Sequence, residues 1–260
     1  MKNLYCRSLI AAATLVAAAG AQAFTITYDF TVPNDGSGRT SQLAGVNNQS
    51  TKNVFVDTFD RADGTGGFTM SSSNVAVKTV SGGGYSFAAG NLSRVYAAPA
   101  NDSTHFLYGP GLNSTVSNAE VNLNYSGLLK TLSTGGTTAS LNYLGLYYGS
   151  IDTFNDLIFY NAAGNEITTV TGTQLINDFK GVSGNQSAAS SNIYVNLFFT
   201  PQEEFTSFSF RTTGRAFEMD NLVVGFQVNN PSTQVPEPGS LALLGLGLAA
   251  VGVARRRTKR

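Results

Sequence analysis

The sequence predicts an all-β protein, a single jelly-roll-like antiparallel β-sandwich, on three observations. Between Phe24 and Gln234 no stretch keeps a long helical period. Apolar and polar residues instead alternate over roughly a dozen short segments separated by Gly- and Asn-rich turns, the pattern of a sandwich or barrel. Charged residues are sparse, at 12% of the chain, while Ser, Thr, Asn and Gly are abundant, a habit of extracellular β domains.

Taken in order, Phe24 to Thr31 alternates strictly and reads as a strand with one wet face. Pro33 to Ser50 is polar and Gly-rich and reads as a long loop. Val54 to Phe59 is a second strand. Asn74 to Val80, Gly84 to Ala88 and Leu92 to Tyr96 are short strands, divided by turns at Gly82-Gly83-Gly84 and Gly90-Asn91. Thr104 to Tyr108 and Thr115 to Asn124 follow. Leu141 to Tyr148 and Asp156 to Tyr160 are apolar on both faces and belong in the middle of a packed sheet. Asn161 to Asn165 is a turn into a strand over Glu166 to Thr171. Thr173 to Lys180 suits one short helical turn, and Gly181 to Ser191 a polar loop. Ile193 to Phe199, Phe205 to Phe210 and Ala216 to Val228 complete a domain over 24–230, with its first and last strands expected close together.

The two ends obey different rules. Residues 1–23 carry Lys2 and Arg7, an apolar run from Leu9 to Ala19, and Ala21-Gln22-Ala23, which together make a signal peptide cleaved after Ala23 to leave Phe24 first. The one cysteine, Cys6, precedes the apolar run, so no disulfide is available to the mature body. At the other end, Pro236 and Pro238 break regular structure within a linker over 231–238. Residues 239–254 are almost wholly Leu, Ala, Val and Gly. As a helix the run spans roughly 24 Å, short of the ~30 Å hydrocarbon core, so it suits a thin or locally thinned bilayer. Residues 255–260 hold five basic side chains that keep the end cytoplasmic.

This tail resembles the PEP-CTERM sorting signal of Gram-negative bacterial surface proteins. The resemblance rests on Val235, Pro236, Glu237, Pro238 and Gly239, on the short apolar helix, and on Arg255, Arg256 and Arg257. It implies an exosortase as processing partner, membrane attachment through the helix until the tail is removed, and delivery to the cell surface or to an exopolysaccharide or biofilm matrix. Three segments of the body, Tyr147 to Asn155, Tyr194 to Phe199 and Ala216 to Leu222, also look like the core of a group of exosortase-dependent surface proteins, over about residues 54 to 228.

Charge and residue counts bound the chemistry. Between Phe24 and Gln234 lie nine basic and fifteen acidic residues, a net of −6, against nucleic-acid binding through phosphates. His105 is the only histidine, which excludes a three-histidine zinc site, and no nucleophile-elbow motif accompanies it. Cysteine catalysis is excluded in the mature chain. Glu203-Glu204 reads as a solvated turn, and Asp152 and Asp156 flank a hairpin. We therefore expect no catalytic residues and no enzyme, but a structural or adhesive surface protein. A carbohydrate-binding module is the alternative, and a glycan-degrading enzyme with two opposed acids a more distant one. The aromatic-rich stretch with Tyr143, Tyr147, Tyr148, Phe154, Phe159 and Tyr160 is expected to fill the core, since the chain has no Trp.

One polar cluster stands out. In Phe217-Glu218-Met219-Asp220-Asn221-Leu222 the apolar alternation changes phase at Asp220-Asn221, which predicts a β-bulge that re-aims Asp220. With the early segment Asp57 to Gly64 it resembles the shared ion site of calcium-bearing jelly rolls such as many carbohydrate-binding modules. That resemblance implies a structural calcium held by Asp57, Asp60, Asp63 and Asp220, since calcium takes six to eight oxygens.

Overall fold

The structure, a computed structural model, describes residues 24–229. The expected signal peptide, linker, membrane-spanning helix and basic tail lie outside the described residues. Among the described residues no helix is long and apolar enough to cross a membrane.

Two antiparallel sheets face one another. The larger has seven strands, in the order β1 (Phe24–Thr27), β10 (Ile193–Phe199), β7 (Thr138–Gly149), β12 (Phe217–Asn229), β5 (Phe106–Gly109) and β4 (Ser86–Ala88), with β2 (Val54–Asp57) pairing on the far part of β12. The smaller runs β3 (Ala76–Gly82), β6 (Ala119–Asn124), β11 (Ser207–Thr212), β8 (Asn155–Tyr160) and β9 (Glu166–Thr171). From β5 onward the chain passes from sheet to sheet at every step except β8 to β9, which the Asn161–Asn165 turn joins as a hairpin. The all-β expectation holds. The first and last strands share a sheet, but β10 and β7 lie between them.

The core forms where alternate residues of both sheets meet. β6 shows the simplest case: Ala119, Val121 and Leu123 are buried and Glu120, Asn122 and Asn124 half-buried. The central β7 is buried over nearly its whole length, as its two apolar faces require. Leu141, Leu144, Leu146 and Tyr148 meet Phe159, Phe208 and Phe210 of the opposite sheet in the main core.

Two helices close the ends. α2 (Gly172–Phe179) starts where the Thr171 side chain accepts a bond from the Gln174 N–H and stops at Lys180, held left-handed with φ 52°. α1 (Ser126–Leu132) is not expected from the sequence. Its apolar residues Leu128, Leu129 and Leu132 lie on one helical face, but seven residues are too short for that period to stand out until β7 offers a surface to cover. Leu92 to Tyr96 closes as a tight turn through one bridge rather than a strand.

Candidate functional site

β12 is built from two alternations joined by a slip. Phe217 and Met219 face the main core, so Glu218 and Asp220 face outward. Between Asp220 and Val223 the pairing with β7 shifts register, and Asn221 takes φ 47°. Beyond the slip Leu222 and Val224 point into the core and Val223 out. This is the bulge that the change of phase predicts.

The outward face of the larger sheet is covered by chain. Val54, Val56, Tyr143, Tyr147, Tyr194 and Val223 form a second core there, with Ala44 of the long loop packed on it. Asn221 holds that loop down. Its Nδ2 donates to Ser37 O (2.9 Å), Ser37 Oγ (2.8 Å) and Arg39 O (2.8 Å), and its Oδ1 accepts from Asn48 Nδ2. Gly38, at φ 78°, lies against the Tyr147 ring where a β-carbon would collide. A bridge from Ser37 to Asp102 ties the loop to the segment before β5.

Beneath this cover lies an acidic pair. Asp220 is fully buried and Asp102 is 9% exposed, and the two carboxyls are within hydrogen-bonding reach of each other. Asp102 Oδ1 accepts from Thr104 N and Oγ1, each at 2.8 Å, while the same hydroxyl lies 3.4 Å from Asp220 Oδ2. One hydroxyl hydrogen cannot serve both acids. Asp102 Oδ2 and Asp220 Oδ1 are shielded from solvent and have no partner. Burial pushes the Asp102 carboxyl up to about 6. Burial, then the charge of Asp102, pushes Asp220 well above the carboxylate range. Asp60 adds negative charge to both; its Oδ1 accepts from His105 N at 2.8 Å and meets His105 Nδ1 at 3.0 Å.

The structure thus brings Asp60 and Asp220 of the four expected calcium ligands into one neighbourhood. Asp57 is across the sheet: it pairs in register with Leu222, on the core side, and accepts from Phe59 N, Thr69 N, Thr69 Oγ1 and Met70 N. Asp63 is an exposed turn residue whose Oδ1 accepts from Thr65 N and Oγ1. Asp102 takes the place next to Asp220. Sequence reading missed it because Asn-Asp-Ser-Thr is indistinguishable from an ordinary Asx turn. Among the described residues no three histidine, cysteine or acidic side chains make a metal cage by themselves.

Glu218 is a second buried acid. Its Oε1 accepts from Ala97 N and its Oε2 from Ser150 Oγ, both at 3.0 Å, and burial pushes it up to about 8. It floors a cleft of about 310 Å³ lined also by Arg94, Tyr96, Asp152, Phe154 and Arg215. The other acids singled out in the sequence serve the fold: Asp156 pairs with Arg211 at 2.7 Å, Asp152 accepts from Ser183 Oγ at 2.7 Å, and Glu204 accepts from Gln227. Of the aromatic stretch, Tyr143, Tyr147, Tyr148 and Phe159 are buried and Phe154 and Tyr160 half-buried.

The body defines the protein as an antiparallel two-sheet β-sandwich. The chain carries a PEP-CTERM protein-sorting motif at residues 234–257, as the resemblance of the tail implies. The motif implies an exported protein localised to the surface through an exosortase. No curated protein matches the chain. Among solved structures it is similar to the enzymatically active domain of bacteriophage CBA120 tailspike protein 4, at 9% identity and a TM-score of 0.28, over 69% of this chain and 20% of that one.

Proposed function

We propose that this protein is a non-enzymatic structural or adhesive component of the cell surface or exopolysaccharide matrix of a Gram-negative bacterium, delivered as a jelly roll once an exosortase removes its tail. The observation that carries this reading is the sorting motif at 234–257 attached to a compact disulfide-free sandwich. The jelly-roll assignment rests on eight strands in two interleaved four-strand orders, β5-β12-β7-β10 and β6-β11-β8-β9. A non-catalytic role fits acids that are spent on structural bonds and a lone histidine that is occupied with Asp60.

The test is fractionation of producing cells with mass spectrometry of the mature ends. A chain that starts at Phe24, lacks the apolar helix and sits in the envelope or matrix is the expected result. The intact 260-residue form in the cytosol would sink the proposal. A second reading, a carbohydrate-binding module, is favoured by the cleft beside Tyr96 and Phe154, since half-exposed rings among polar groups suit a sugar. Retention on an immobilised polysaccharide that Tyr96→Ala abolishes would support it. No retention on any glycan, the producer's own included, would rule it out.

A further inference from the structure

Two carboxylate oxygens of the Asp102–Asp220 pair lie buried with nothing bonded to them, although buried polar groups in folded proteins are nearly always satisfied. An acid pair in that state needs either a proton between its oxygens or a cation. A single proton neutralises one charge of the pair, and Asp60, bonded to His105 N and Nδ1, adds negative charge at the edge of the same neighbourhood. The available ligands are all oxygen, which selects a hard cation. The pair also joins separate parts of the chain: Asp220 from the central strand β12, and Asp102 from the segment bridged to the long loop at Ser37.

We propose that Asp102 and Asp220 hold a calcium ion that fastens the covering loops to the outward face of the larger sheet, with Asp60 as a nearby supporting charge. Two carboxylates do not fill a calcium shell, so main-chain carbonyls and water complete it. This differs from the site that the sequence resemblance implies, because Asp57 faces the other side of the sheet and Asp63 the solvent. Calcium rather than magnesium follows from carboxylates on two separate segments, β12 and the stretch before β5, since magnesium demands near-ideal octahedral geometry. A body without disulfides gains from such a fastening, and extracellular calcium sites work at ~0.1–1 mM affinity.

The experiment uses the exported protein recovered from its producing cells, stripped with a chelator and returned to calcium or to magnesium. We expect about one calcium per chain by elemental analysis. We also expect a melting temperature roughly 5–10 °C higher in saturating calcium and little changed in magnesium. Asp220→Asn and Asp102→Asn should each abolish the calcium shift, while Asp57→Asn keeps it. Limited proteolysis should cut within residues 28–53 or 91–105 several-fold faster in the stripped protein. The wild-type readings stand even where a variant fails to fold. A stripped chain that binds no calcium and melts at the same temperature with and without it overturns the proposal and leaves the pair to share a proton.

Discussion

Asn221 joins more of the outer layer than any other side chain of β12. An L-residue at φ 47° is uncommon, and Asn is among the few that tolerate it. Three donor contacts and one acceptor contact then commit its amide to Ser37, Arg39 and Asn48. Asn221→Ala should cost about 2–4 kcal/mol, from buried partners left unpaired and from β-carbon strain. Asn221→Gly should be milder, because it relieves the strain and loses only the bonds. Denaturant midpoints of the two variants would check this order. Asp57 is the matching case on the core side. Removing its carboxylate by Asp57→Ala strands three backbone N–H groups, of Phe59, Thr69 and Met70, and should cost roughly 3 kcal/mol by the same measurement.

At the scale of elements, the strands follow their apolar pattern, and β12 stays one strand through its bulge at Asp220-Asn221 and through Gly225. α2 depends instead on its ends. Thr171 is its N-cap, so Thr171→Ala should lower stability by ~1 kcal/mol. Lys180 occupies the left-handed position at its other end, where Gly is preferred. Lys180→Gly should therefore leave stability unchanged or raise it by up to about 1 kcal/mol. Thermal melts of the two variants in opposite directions would confirm that both caps act as drawn.

For the whole molecule, the notable feature is how many phenols lie inside. Tyr108, Tyr125, Tyr147, Tyr148 and Tyr194 are fully buried. Burial raises Tyr125, Tyr148 and Tyr194 well above their ordinary value and pushes Tyr147 up to about 12. A group that holds its proton more tightly when folded gives stability that is complete below its unfolded value and declines as pH rises above it. The phenols should therefore add no pH dependence below about pH 10 and a steep loss of melting temperature from pH 10 to 12, on top of the decline above about pH 4 that the raised carboxyls of Asp102, Glu218 and Asp220 impose. Tyrosinate absorbance should appear together with loss of β-structure in circular dichroism. Phenols titrating smoothly from pH 10 in a chain that stays folded would contradict the burial described here.

The sequence alone determined the sorting signal and the all-β class. The Val-Pro-Glu-Pro-Gly motif and the Arg cluster are linear signals, read as short segments, so no folding is needed to see them. Period-two alternation likewise shows a strand wherever one face is wet, and it located β6, β10 and β12, together with the slip at Asp220-Asn221. Only the tertiary structure decided which acid faces which. Asp57 and Asp220 seemed natural partners, yet the register of β2 on β12 puts them on opposite faces of one sheet. Asp102, in a turn with no signal of its own, is carried to Asp220 by loops that cover the outward face. Long-range proximity depends on strand order and register, which local composition does not encode. That is why the address of this protein is legible residue by residue and its acidic centre is not.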